Sequence, residues 1–254
     1  MIELACGDVV ATVSPADGGR VASLTVGTTD LLVRGDSSHD PMSWGSYPMV
    51  PWAGRVRDAA LLWEDGVVRL PVNMPPNSIH GTGFTTRWDV LDDGLDHCEL
   101  QCALDWPLGG TAHQHVQLTP GGLVCVLTVV AGHRRMPAVI GWHPWFVKPV
   151  DDRLRFGSMY ERGADGLPTG RRLEPTPRPW DDCLVRPDPP LQLRYPNLTV
   201  SIASDADHWV VYDEPAHATC VEPQSAPPDA FGLGLAPTLA PGEMLQRTMT
   251  ITWA

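Results

Sequence analysis

"HCELQCALDWPLGGTAHQHVQLTPGGLVCVLTVV", residues 97–130, holds three runs in which apolar and polar residues alternate or β-branched residues dominate. The runs are 97–106, 113–120 and 123–130, and the breaks between them are "PLGG" and "PGG", both turn chemistry. A chain that alternates, turns on glycine and alternates again is building antiparallel strands.

Working outward, similar runs recur at 20–26, 198–204 and 244–253. The 26 prolines and 24 glycines are spread from end to end, so hardly any window of a dozen residues keeps helical spacing uninterrupted. The expectation is an all-β sandwich of many antiparallel strands with few short helices. Proline-dense stretches at 71–77 and 174–190 read as loops over one domain covering 1–254, since strand patterns of similar composition resume on both sides.

The 254 residues, 43% of them hydrophobic, suffice for a sizeable core. With 18 basic against 30 acidic residues the formal net charge is −12, which disfavours nucleic acid and anionic membranes as partners. The amino terminus has no basic region followed by an apolar run, and no stretch has the length of a membrane span, so a cytoplasmic protein acting on a small neutral molecule is expected. Six cysteines without tight spacing then read as reduced thiols.

Four stretches place titratable side chains beside residues that stiffen the backbone: "PMVPWAGRVR" (48–57), "NSIHG" (77–81), "GWHPWF" (141–146) and "CVEPQ" (220–224). In "GWHPWF" the proline holds His143 extended, and Trp145 supplies a ring able to stack on the apolar face of a sugar. Glu222, at an apolar strand end and followed by proline, is placed for partial burial, which makes a carboxylate a better proton acceptor. Arg55 can fork hydrogen bonds to vicinal hydroxyls or a carboxylate, with Arg57 as its neighbouring competitor. "DDCL" (181–184) offers Asp181 and Asp182 in a turn.

One metal reading is available. His113 and His115 share a strand face, as do Cys98 and Cys102 across the "PLGG" hairpin, and four such ligands could bind zinc if their register matched. C-x3-C with H-x-H is not a usual structural zinc spacing, so no metal is expected.

Taken together and in order, "GGRVASLTVGTTDLL", "YPMVPWAGRVR", "LPVNMPPNSIHGTGFTTRWDV", "LTPGGLVCVLTVV", "MPAVIGWHPWF", "WDDCL" and "CVEPQSAPPDAF" resemble the aldose 1-epimerase (galactose mutarotase) family over nearly the whole chain. The resemblance implies a galactose mutarotase-like β supersandwich and cofactor-free interconversion of the α and β anomers of a free monosaccharide, by a monomer or homodimer. It further implies that Glu222 is the general base and His143 the general acid, that His80 binds near the ring oxygen, and that Arg55 and Asp181 hold hydroxyls. A hexose-6-phosphate 1-epimerase shares this fold and chemistry but needs added basic residues, for which Arg87, Arg134, Arg135 and Lys148 are the candidates. A sugar-binding protein that does not catalyse is the reading from another class.

Overall fold

The computed structural model describes residues 1–64 and 66–254. The opening stretch forms strands His97–Ala103, Thr111–Thr119 and Gly122–Val130, paired antiparallel in register, with Gln101 opposite His113 and Val116 opposite Cys125. The first run ends three residues earlier than its pattern suggested. There Leu104 N–H donates to the Gly110 carbonyl and the Trp106 indole to that of Gly109, which closes the turn.

These three strands belong to an eight-stranded sheet that continues through Met244–Trp253, Leu198–Ser204 and Leu191–Tyr195. A larger sheet of eleven strands faces it, and a continuous cluster of buried side chains drawn from both fills the space between. Every strand pair in these two sheets is antiparallel, so alternate residues point inward and outward along each. Helical structure among the described residues amounts to Ala230–Leu233 and two short 3₁₀ turns, in line with the proline and glycine distribution. No helix among the described residues is long and apolar enough to cross a membrane.

The centre of the large sheet runs Ser46–Met49, Gly141–Val147, Ala218–Gln224, His208–Tyr212, Asp181–Pro187 and Phe156–Arg162. Asp181–Pro187 corrects the sequence reading of 174–190 as a loop: its "DDCLV" core pairs on both sides, and the prolines flank it. The stretch 71–77 stays outside the named strands.

Alternation along Gly141–Val147 decides which way the site faces. Trp142 points into the core, where its indole donates to Gln114 Oε1 at 3.0 Å, while His143 points to the opposite face. Gln114 comes from the other sheet and also donates to the Gly19 carbonyl, so one buried amide ties the two layers together. Replacing Gln114 by leucine strands a buried donor and a buried acceptor, each worth about 1–3 kcal/mol. Urea unfolding of Gln114→Leu should therefore show a loss of about 2–4 kcal/mol; an unchanged midpoint would mean that this amide does not hold the layers.

Candidate active site

The register of the large sheet writes most of the site. Gly141 pairs with Gln224 and Trp145 with Cys220, which sets His143 directly across from Glu222. Pairing is interrupted between those points, where Pro144 and Pro223 bring no N–H, and it resumes on both sides. On the outer flanks Tyr47 lies opposite His143 and Val210 opposite Glu222. The result is a cross-strand row of Tyr47, His143, Glu222 and Val210 on the face away from the core.

Two loops complete the arrangement. A two-residue ribbon pairs Arg55 with Ile79 and Val56 with Ser78, and so joins the "AGR" and "IHG" stretches. Gly54 and His80 then exchange hydrogen bonds: His80 N–H donates to the Gly54 carbonyl at 3.1 Å, and Gly54 N–H donates to His80 Nδ1 at 3.3 Å. Since Nδ1 accepts, the proton of the neutral ring sits on Nε2. His80 itself has φ +62, a left-handed conformation costing about 1–3 kcal/mol for a side-chain-bearing residue. Gly81 follows at φ +74 with its Cα against the Val50 carbonyl, a position no Cβ could share.

These elements enclose a cleft of about 510 Å³, within the range of small-molecule sites. Arg55, His80, His143, Trp145, Asp181 and Glu222, all six residues picked out in the sequence, line it. Arg57 does not, being bound to Asp165 and Asp229. Asp182 lies outside the cleft against Arg162, whereas Asp181 faces Arg55 at 3.4 Å.

At the cleft floor His143 Nε2 lies 3.2 Å from Glu222 Oε1, with the side chains 7% and 2% exposed. Burial opposes charge on both. It pushes the Glu222 carboxyl well above its usual range, reinforced by Asp181, and pulls His143 down to about 3. The two groups therefore tend to hold one proton between them. His80 is pushed down as well, by burial first and then by His143 and Arg55, so it presents an uncharged Nε2–H.

Trp145 has ring partners that the sequence did not announce. Its ring stacks on His143 with centroids 5.3 Å apart and lies near-parallel to His217 at 6.0 Å, so two imidazoles engage it while it lines the cleft. Its role in this geometry is to back the imidazole, on which Tyr47 also stacks at 4.9 Å. Tyr47 and Gln224 went unremarked in the sequence. Gln224, two residues beyond Glu222 and so on the same strand face, donates to Glu222 Oε2 at 3.3 Å. The four zinc candidates divide: Cys98 and Cys102 are buried in the core opposite Val116 and Ala112, while His113 and His115 pair with Gln101 and Glu99 on the outer face. No single ion can reach all four.

Comparison with known proteins decides the family. The family model described as aldose 1-epimerase matches residues 1–191. The chain belongs to the aldose 1-epimerase family. Solved structures agree on the fold, a galactose mutarotase-like β supersandwich. A galactose mutarotase-like protein of Clostridium acetobutylicum superposes with a TM-score of 0.87 at 18% identity, covering 99% of this chain and 94% of that one. A galactose 1-epimerase of Lactobacillus acidophilus NCFM gives 0.80 at 18% identity, covering 97% and 91%. The Escherichia coli K12 protein YphB, itself uncharacterised, is 27% identical over 145 residues, so the match spans 54% of this chain and about half (49%) of that relative.

Because the left-handed Gly81 carries His80, its substitution should be felt in the site. Gly7, also at positive φ but with open space around it, provides the control. Gly7→Ala should cost about 1–2 kcal/mol for the backbone alone. Gly81→Ala should cost clearly more and shift the His80 imidazole resonances in NMR; equal losses with unmoved resonances would contradict this account of the loop.

Proposed function

We propose that the whole chain, 1–254, is an aldose 1-epimerase that interconverts the α and β anomers of a free monosaccharide. The observation that carries this reading is the His143–Glu222 pair at 3.2 Å on the floor of the cleft. Ring opening of a hemiacetal removes a proton from the anomeric hydroxyl and adds one to the ring oxygen. Those two oxygens sit on the same carbon, so the acid and base must sit side by side.

The proton shared by the pair readies it for this exchange. Burial favours that proton on Glu222, so it first crosses the 3.2 Å contact to His143; Glu222 then takes the proton of the anomeric hydroxyl while the imidazolium gives its own to the ring oxygen, and the C1–O5 bond breaks. The freed aldehyde rotates about C1–C2, the ring oxygen attacks its other face, and both transfers run backwards. Each positioned partner typically contributes about 10²–10⁴-fold. The uncharged His80 Nε2–H is suited to donate to the ring oxygen region, and Arg55 and Asp181 to hold hydroxyls through the donor and acceptor they present.

The cleft's charge supports a neutral sugar over a phosphorylated one. Arg55 is the one Arg or Lys among the described residues lining it, and Asp181 already shares that charge. Arg87, Arg134, Arg135 and Lys148 do not line it; Lys148 is spent on the carbonyls of Asp213 and Ala218. A phosphate there would meet Asp40, Asp181, Glu214 and Glu222.

Anomeric exchange measured by NMR on glucose, galactose, their 6-phosphates and a pentose tests this. Acceleration on a free sugar is expected, reduced about 10²-fold or more by Glu222→Gln and by His143→Asn with sugar affinity largely kept. His80→Asn and Arg55→Ala should raise KM as well as lower kcat. Acceleration of the 6-phosphates alone would overturn the substrate assignment. Binding of sugars without any acceleration would make the protein a sugar binder.

A further inference from the structure

Strand Ala218–Gln224 sends Cys220, Glu222 and Gln224 to the same face, yet the proton chemistry proposed above has no use for Cys220. That thiol is free and fully buried, and it sits between Trp145 and Tyr212 on the neighbouring strands. It also belongs to a compact donor set. A ring nitrogen of His143, Sγ of Cys220 and a carboxylate oxygen of Glu222 all lie within 4.8 Å of one another. Tetrahedral zinc, with bonds of ~2.0–2.3 Å, needs its ligand atoms about 3.3–3.6 Å apart. The nitrogen and carboxylate oxygen are already at 3.2 Å, and a side-chain adjustment of about 1 Å brings in the sulfur.

We propose that His143, Cys220 and Glu222 form a zinc site whose occupation shuts the acid/base pair down. The donor chemistry selects the ion. One thiolate, one imidazole and one carboxylate suit zinc, whereas magnesium and calcium seek oxygen alone. On binding, the Cys220 thiol proton and the proton shared by His143 and Glu222 both pass to water, and the lone pairs of the sulfur, the His143 nitrogen and the Glu222 oxygen go to the metal. His143 and Glu222 face the cleft, so the fourth position of a tetrahedron built on this base opens to water or to a ligand hydroxyl. The same two side chains cannot hold zinc and relay a proton at once, so zinc and turnover exclude each other. Inhibition rests on the proposed function; metal uptake rests only on the donor set.

Both are read on the untagged full chain. Calorimetric titration with zinc should show one ion bound per chain, with affinity at least ten-fold weaker in Cys220→Ala and Cys220→Ser. Cobalt(II) should give a thiolate-to-metal charge-transfer band in the wild type that both variants lack. In the NMR exchange assay, one equivalent of zinc should reduce wild-type acceleration to near the uncatalysed rate, and a chelator should restore it. The cysteine variants should keep metal-free exchange and need at least ten-fold more zinc for the same loss. Absence of stoichiometric zinc, or uptake and a cobalt spectrum indifferent to residue 220, overturns the site. If the chain accelerates exchange of no sugar, calorimetry and cobalt still decide: uptake lost in both variants supports the site, and its absence overturns it.

Discussion

The pairing of Gly141–Val147 with Ala218–Gln224 is the constraint on which the rest of this molecule depends. Slipping the register by one residue would turn His143 toward the core and bring Trp142 into the cleft, because side chains alternate with a period of two. The ladder itself is weakest at that point, where Pro144 and Pro223 withhold their N–H groups. Register is therefore held from outside the gap. Hydrogen-bonded pairs close it at both ends, Ser46–Met49 and His208–Tyr212 brace the outer edges, and the Trp142–Gln114 bond anchors the core side. A large and conventional sheet thus holds rigid the few residues whose own backbone bonding is incomplete.

Burial then turns position into chemistry. Taking a carboxyl and an imidazole almost wholly out of water penalises both charges, and the arrangement offsets this by placing them on each other and Gln224 on the carboxyl. Asp181 would worsen the penalty through like charge, but Arg55 and Arg162 both lie within salt-bridge distance of it. The same loss of solvent keeps His80 uncharged, so the third group at the cleft is a directional donor in place of a competing cation. Three histidine or carboxyl side chains within one cavity end up with different proton-handling properties, and the differences come from what surrounds each.

Much of the fold could be read along the chain because its determinants are local. Alternation with Gly-Gly turns at 97–130 sets strand, turn and facing together, and the structure follows it to within a few residues. The candidate residues could be picked out for a different reason: Arg55, His80, His143 and Glu222 each sit beside a glycine or proline that restrains the backbone, whereas Asp181 opens a central strand. What escaped was whatever depends on neighbours across the sheet. Nothing in "SYPM" announces that Tyr47 will back His143, nearly a hundred residues later, since alternation gives the face of a residue but not the strand beside it. The proline-rich flanks of Asp181–Pro187 concealed a central strand for the same reason. Trp145 lines the cleft, and the two imidazoles beside its ring, one from its own strand and one from a loop seventy residues on, are likewise not announced by alternation.

The charge pattern of the cleft is in keeping with the proposed neutral substrate. The chain carries a net charge of −12, and the cleft wall shares that bias through Asp40, Glu214 and Asp181. Such a field would repel an anion before it met Arg55, but it exerts no net force on an uncharged polyol. On the proposed reading, discrimination between neutral sugars comes from the direction of individual hydrogen bonds, which a paired sheet and two pinned loops can set and a long-range field cannot. The unusual backbone at His80 and Gly81 is intelligible on these terms: a conformation that costs stability fixes a single donor, in a site where orientation is the only information available.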